Sequence, residues 1–348
     1  MILVLNTGSS SVKSALFDTD LRQIAHFSAT EVTDHASAIA VMLDDYTARG
    51  HRLTAAAHRV VHGGDSLTAP QRITAALRTE IARLIPLAPL HNPAHLTGID
   101  AVTALAPDLP QVAVFDTAFH ATNPRVATAY ALPDTGHGLR RYGFHGISYQ
   151  GLVAGLDPLP PRLLALHLGN GASLCAIRDG HSVATTMGYS PLEGLTMGTR
   201  SGSIDPNAVL RLARDLGIDE TADLLNRRSG LLGLAGSSDM RTLTTRDDRA
   251  ARFAIGHFTY WAVRHAGSMI AAMGGLDGIA FTGGIGENDV AVRAAIMDGL
   301  GYMGLRFDPT ANATGASVLH TDTSAVTARI VPATEERTIA RAAQKVLA

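Results

Sequence analysis

"ILVLNTGSSSVKSALFD", Ile2–Asp18, reads as an apolar strand, a turn of small residues and a second strand. "LLALHLGNGASLCAIRD", Leu163–Asp179, has the same design. Laid over each other without a gap, Leu3, Leu5, Gly8, Ala15 and Asp18 fall on Leu164, Leu166, Gly169, Ala176 and Asp179. Five matches in seventeen positions point to a duplication, with two unrelated hairpins as the alternative. A duplication implies two related domains, each presenting a turn of small residues. The proline-rich "DPLPPR", Asp157–Arg162, precedes the second copy as a connection.

Outward from the hairpins, short apolar strands alternate with helical stretches. Strands are expected at Ile2–Leu5, Ser11–Asp18, Ala55–Val61, Val112–Phe115, Leu163–Leu168, Ser173–Arg178 and Gly278–Thr282. The clearest helix is Pro206–Leu216, with Asp205 as N-cap, Pro206 at the first position and Gly217 as the stop. This alternation predicts an α/β fold with mixed sheets.

Composition narrows the function. The chain has 348 residues, 46% hydrophobic and 17% charged, enough for a large core and about two domains. Its formal net charge of -2 lacks the basic excess of a nucleic-acid binder. No basic leader with an apolar run and cleavage site opens it, and no stretch reaches about 18 apolar residues, so a cytoplasmic protein is expected. The single cysteine, Cys175, excludes an intrachain disulfide and reads as a buried small hydrophobe.

The turns carry the first chemical signal. "NTGSSS", Asn6–Ser11, and "GNGAS", Gly169–Ser173, lack bulk, so backbone N–H groups can approach an anion closely. Neither matches the Walker pattern G-x-x-x-x-G-K-[ST]. A third turn, "GIAFTGGIGEN" (Gly278–Asn288), reads as a buried strand, a glycine turn and then a helix over "DVAVRAAIMDGLG". Three small-residue turns after three strands suggest a nucleotide gripped through its phosphates.

Two arginines stand among glycines and small polar residues. Arg59 ends a strand in "AHRVVHGG", and Arg200 lies in "PLEGLTMGTRSGSIDP". Their forks suit carboxylate and phosphate oxygens. Of 15 histidines, His91 and His95 stand four apart, but Pro93 spoils a helical metal pair and no H-E-x-x-H occurs. His145 and His167 flank glycine turns, where they could donate to phosphate; a structural role is the alternative.

Ten ordered segments together resemble the acetate and propionate kinase family: "NTGSSSVK", "HRVVHGG", "LAPLHNP", "VFDTAFH", "RRYGFHGIS", "HLGNGAS", "MGYSPLEGLTMGTRSGSIDP", "SSDMR", "FTGGIGEN" and "PATEE". They span nearly the whole chain. The resemblance implies two duplicated actin-like (ribonuclease H-like) domains with an interdomain nucleotide cleft. It places the first domain at residues 1–120 plus 337–348 and the second at 121–336, with a C-terminal helix near Thr338–Ala348 returning to the first. It implies transfer of the ATP γ-phosphoryl group to acetate with Mg²⁺, or Mn²⁺ in its place, in a homodimer.

By position, the resemblance assigns Asn6 and Glu335 to the metal. Lys13, His167, Leu168, Gly169, Asn170, Gly171, Asp239, Met240, Arg241, Gly284, Ile285, Gly286, Glu287 and Asn288 would line the ATP site. Arg59 would bind the carboxylate, His91 would face the reaction, and Val61, Leu90, Phe144 and Pro191 would hold the acid's methyl group. Arg200 and His145 would stabilise the transition state. Asp116 is the family's assigned acid or base, but a carboxylic acid is already ionised at pH 7 and needs no base. Orienting an arginine or a Mg²⁺-bound water is the alternative for Asp116.

Three other activities remain open: a propionate kinase, a sugar kinase of the same superfamily, and an actin-like nucleotide switch without turnover. The chain is shorter than typical members around residues 28–50, after His62 and near residues 242–250. "GISYQ" replaces the usual "GTSH", Ser203 stands where an acidic residue is usual, and "PATEE" lacks the usual asparagine.

Overall fold

Two sheets grow from the two hairpins. The computed structural model describes residues 1–348 except Ser9 and Leu90. Contacts divide the chain into one unit of Met1–Ala121, Phe144–Gly151 and Thr334–Ala348, and another of Thr122–Gly143 and Leu152–Ala333.

In the first unit, β1 (Ile2–Gly8), β2 (Ser11–Phe17) and β3 (Gln23–Thr30) form an antiparallel meander. β4 (Ala55–Val60) and β6 (Gln111–Phe115) continue from β1 in parallel, and the short β5 (Gln71–Arg72) closes the edge. The strand order is β3-β2-β1-β4-β6-β5. The central strands read as apolar runs because both of their faces are covered. One face packs against Ile339, Ala340 and Ala343 of the C-terminal helix, and the other against Ile39, Met42, Tyr46 and Val102.

The second unit repeats the plan. β7 (Arg162–Leu168), β8 (Ala172–Arg178) and β9 (His181–Thr185) form the meander, and β10 (Gly278–Thr282) and β11 (Thr327–Ile330) extend it in parallel. Its order, β11-β10-β7-β8-β9, mirrors β6-β4-β1-β2-β3. The gapless overlay is one residue out along the return strand. Gly8 pairs with Ser11, whereas Leu168 pairs with Ala172, so the second turn holds one residue more.

The expected helix Pro206–Leu216 forms with those bounds, and the Asp205 carboxylate accepts from the N–H groups of Asn207 and Ala208. Elsewhere the structure differs. The glycines after β10 form a short helix of their own, Gly283–Asn288, before the helix Val290–Gly299. The C-terminal helix starts at Glu335, earlier than expected, and Phe144–Gly151 joins the first unit. The cause of the latter is local. Gly146 N–H donates to the Asp116 carbonyl at 2.8 Å, and Tyr149 lies against the rings of Phe119 and His120. Phe144, His145 and Glu335 therefore share a unit with Arg59 and Asp116. Among the described residues no helix is long and apolar enough to cross a membrane.

Candidate active site

Parallel strands of an α/β sheet place ligands beyond their carboxyl ends, and the first unit gathers its polar residues there. Asn6 lies near the end of β1, Arg59 near the end of β4, and Asp116 directly after β6. Lys13, on β2, is the cross-strand partner of Asn6. Arg59 donates from Nε and Nη2 to Asp116 Oδ2 at 3.0 and 2.5 Å, and from Nη1 to Asn6 Oδ1 at 3.5 Å. The Asp116 side chain is 2% exposed and that of Arg59 21%, so the pair sits at a surface with the guanidinium outermost. Burial opposes the Arg59 charge, but Asp116, Glu335 and Glu336 outweigh it and push the pKa up. Burial raises the Glu335 pKa; Arg59 pulls it back and Glu336 adds to the rise.

The same unit holds apolar residues assigned to the acid. Val61 and Phe144 are buried, and Phe144 meets the His62 ring edge-on at 5.5 Å. The buried amide of Asn92 brackets the His62 backbone, accepting from its N–H and donating to its carbonyl. His145 sits at φ 59°, a left-handed turn tightened by Gly146, where a Cβ would come 2.2 Å from the Asp116 carbonyl. His91 stands at the N-cap position of the helix Asn92–Leu105 without a side-chain cap bond to it. Leu90 lies outside the described residues.

The same unit buries four histidines, His58, His62, His95 and His120, whose burial sequence reading did not find. His58 Nε2 lies 2.7 Å from Gln111 Oε1, whose amide reaches Thr103. His120 Nε2 lies 2.9 Å from the Phe144 carbonyl. Burial drives the pKa of His58, His62 and His120 down to about 4, and that of His95, with Arg59 near it, to about 3. His58 lies in β4, His62 in the loop after it and His120 in the 3-10 turn Ala118–Thr122, so no amphipathic helical period marked these three as buried.

The second unit brings the glycine segments together. His167 and Leu168 end β7, and Gly169–Gly171 turn into β8. A Cβ on Gly169 would lie 3.9 Å from His167 Nε2 and 4.0 Å from Gly284 N, and one on Gly283 would lie 2.8 Å from the Leu168 carbonyl. Gly198 N–H donates to the Asn170 carbonyl, and a Cβ there would lie 1.9 Å from Asn170 Oδ1 and 3.2 Å from the Ser238 carbonyl. Ile285, Gly286 and Asn288 complete the helix that begins at Gly283, with the Asn288 amide donating to the Gly284 carbonyl. Glu287 turns its carboxylate onto backbone, where Oε1 accepts from Gly283 and Ala333 N–H at 3.0 and 2.9 Å.

Other assigned residues divide by what they can still do. Asp239 caps its helix and holds Arg241, which is 89% exposed. Met240 is buried, so only its backbone can face a ligand. Arg200 donates to the Pro191 carbonyl at 3.2 Å. Pro191 belongs to the second unit, whereas Val61 and Phe144 belong to the first. Glu193 accepts from the Tyr130 hydroxyl at 2.7 Å, and Arg141 stacks over Tyr130, so this loop is braced by a network the sequence did not reveal.

The profile of the Acetokinase family matches residues 23–341. The chain belongs to the acetokinase family. An acetate kinase of Leifsonia xyli is 42% identical, covering 100% of this chain and 99% of its own. The crystal structure of Porphyromonas gingivalis acetate kinase superposes with a TM-score of 0.92 at 34% identity, covering 100% and 99%. That of a propionate kinase from Francisella tularensis gives 0.93 at 35%, covering 98% of each. These acetokinase-family structures carry duplicated actin-like domains, and the two sheets here have that build. The Leifsonia match runs over 392 aligned residues although this chain has 348, so this acetokinase-family member lacks segments its relative has.

Cys175 is fully buried, 3.3 Å from the Ser182 hydroxyl, and burial pushes its thiol up to about 12. It is a core residue in this acetokinase-family chain and is not a nucleophile.

Proposed function

We propose that this protein transfers the γ-phosphoryl group of ATP to acetate, giving acetyl phosphate and ADP. The observation that carries this is Arg59, a guanidinium fixed by Asp116 near the end of β4, in the unit that also holds the buried apolar Val61 and Phe144. A charged fork next to an apolar patch is what a short-chain carboxylate needs. The relatives named acetate kinase support the same acceptor.

In the reaction, a carboxylate oxygen attacks the γ-phosphorus, an O–P bond forms, and the bond to the β-phosphate oxygen breaks with its electron pair leaving on ADP. The acid arrives ionised, so no proton moves. Catalysis is positioning plus charge. Arg59 orients the acid, and Arg200 and His145, with His91 near the acid, stabilise the equatorial oxygens in flight. Asp116 serves by holding Arg59. A carboxylate already taken by a guanidinium is a weak base, which speaks against the sugar-kinase alternative. Lys13, the His167–Gly171 turn, Asp239–Arg241 and Gly284–Asn288 bind ATP.

Asn6 and Glu335 would hold Mg²⁺ (or Mn²⁺), which would offset the charge of the ATP phosphates. An amide oxygen and a carboxylate suit this hard cation, which keeps waters and phosphate as its other ligands. Burial opposes the charge of Glu335 more than Arg59 supports it, and a bound cation would add to that support. The protein acts in the cytoplasm as a homodimer in this proposal.

A second acid is favoured by one observation, the likeness to a propionate kinase. One methylene in an apolar pocket is worth about 1–3 kcal/mol, so preference is a matter of measurement. Hydroxylamine trapping of acyl phosphate, with Mg-ATP and acetate, propionate or butyrate, tests the proposal. Signal with acetate that is lost in Arg59→Ala supports it. No signal with any acid, despite ATP binding, moves the function to a nucleotide switch.

A further inference from the structure

The helix Val290–Gly299 is capped by Asp289, whose Oδ1 accepts from Val292 N–H at 2.9 Å. It buries Val292, Arg293, Ile296 and Met297, the spacing of an inward stripe. One member of that stripe is a cation. Arg293 is 1% exposed and is among the largest side chains fully enclosed in the protein.

Among the described residues, Arg293 forms no ion pair. Its Nε donates to Asn312 Oδ1 at 2.8 Å, Nη2 to the Asn312 carbonyl at 3.0 Å, and Nη1 to the carbonyls of Gly286 and Glu287 at 3.1 and 2.7 Å. Burial opposes its charge, and Asp289 offsets this only in part. A hydrocarbon side chain would fill this space without desolvating a cation, so the guanidinium has to be explained by what its hydrogen bonds hold.

Two of its acceptors belong to the short helix Gly283–Asn288. That helix has six residues, three of them glycine, and Gly283 sits at φ 79°. Such a segment has little intrinsic order. Its first N–H, that of Gly283, is held by Glu287 Oε1, which also takes Ala333 N–H. Its last carbonyls are held by Arg293. Between these two anchors lies Gly284, with no atom within 4 Å of a Cβ built on it.

We propose that Arg293 is a positioning residue for the nucleotide: by holding the carbonyls of Gly286 and Glu287, it fixes the Gly283–Asn288 backbone against which ATP docks. This rests on the assignment of that turn to ATP. Asn312 is its accessory, presenting two oxygens to the guanidinium while its amide donates to the Val290 carbonyl at 3.0 Å.

The test is ATP affinity measured by calorimetry in Mg²⁺ buffer without any acid, followed by KM for ATP and for acetate. Full-length Arg293→Met, Arg293→Lys, Asn312→Ala and Asn312→Asp are compared with the unaltered chain. Arg293→Met weakens ATP binding about tenfold or more, with KM for acetate within about twofold, and Arg293→Lys falls between. Asn312→Asp keeps an oxygen for Arg293 and stays within about threefold of the unaltered chain, whereas Asn312→Ala follows Arg293→Lys. Should Arg293→Met not fold, the lysine and alanine variants decide by the same measurements. A folded variant set with unchanged ATP affinity overturns the proposal, as does an equal loss toward ATP and acetate. An unaltered chain that binds ATP but makes no acyl phosphate removes the kinase function and leaves this inference to its own binding data.

Discussion

Arg59 places both Nε and Nη2 on one oxygen of Asp116, Oδ2, at 3.0 and 2.5 Å. A carboxylate bound in this way orients its partner more readily than it takes a proton. Asp116→Asn keeps an acceptor oxygen but loses the charge, and a hydrogen bond to a charged group is worth about 1.5–3 kcal/mol. Activity should fall about 10- to 100-fold through KM for acetate and kcat together, with both limbs of the pH profile kept. Rate against pH in each direction checks this. Loss of one limb with little change at the optimum would restore the acid–base role.

Acid should unfold the first unit early. His58, His62 and His120 have pKa values near 4, and His95 near 3, against about 6.5 when unfolded. A histidine with a depressed folded pKa contributes stability that is present above its unfolded value and is lost as pH falls toward the folded one. Between about pH 6.5 and 4, each contributes a slope approaching 1.4 kcal/mol per pH unit. Urea titrations at pH 7, 6 and 5 should show stability falling with a slope of several protons. His120→Asn should lower that slope by about one proton; an unchanged slope would mean that His120 is not neutral and buried.

Much of the fold was legible because apolar strands and glycine turns leave marks in sequence, and the same marks nominated candidate site residues. Arg59 was marked by its place at the end of an apolar run, Asp116 and Asn6 by the family resemblance, and the repeat Ile2–Asp18 over Leu163–Asp179 announced the two matching sheets. The edge strands β3, β5, β9 and β11 left weaker marks; β5 has only two residues, and Gln23–Thr30 mixes polar and apolar residues along a largely exposed strand. Fully buried polar groups were the hardest. Arg293 did leave a trace, a lone charge among Val292, Ile296 and Met297 at helical spacing. Of the buried histidines, His95 left the same kind of trace, at helical spacing with Ile99 and Val102, whereas His58 and His120 left none because their burial depends on segments distant in sequence.

Glu335 sets stability against function. Its pKa is raised, chiefly by burial. A carboxyl raised in this way favours the folded state below its unfolded pKa, and that advantage is lost as pH rises through the folded value. At neutral pH the ionised group therefore disfavours folding unless a cation joins it. Glu335→Gln should raise Tm at pH 7.5 in metal-free buffer and leave it little changed at pH 4, while increasing the Mg²⁺ concentration needed for half-maximal activity. Scanning fluorimetry and a Mg²⁺ titration check both halves. A lower Tm with unchanged Mg²⁺ dependence would make Glu335 a structural partner of Arg59 alone.

Gly284 offers a test in which space and ligand are separated. A methyl group built there meets no atom within 4 Å, whereas one at Gly198 would strike Asn170 Oδ1 at 1.9 Å. Gly198→Ala should therefore cost stability, about 1–3 kcal/mol for a forced shift, and weaken ATP binding along with it. Gly284→Ala should leave stability unchanged or raise it by about 0.5–1 kcal/mol, since alanine is the better helix former. If ATP approaches this backbone, the same methyl group occupies the ligand's place, and KM for ATP should rise about tenfold with KM for acetate unaltered. Thermal melts and steady-state kinetics on the two variants separate the cases. An unchanged KM for ATP in a stable Gly284→Ala variant would take the Gly283–Asn288 turn out of the nucleotide site.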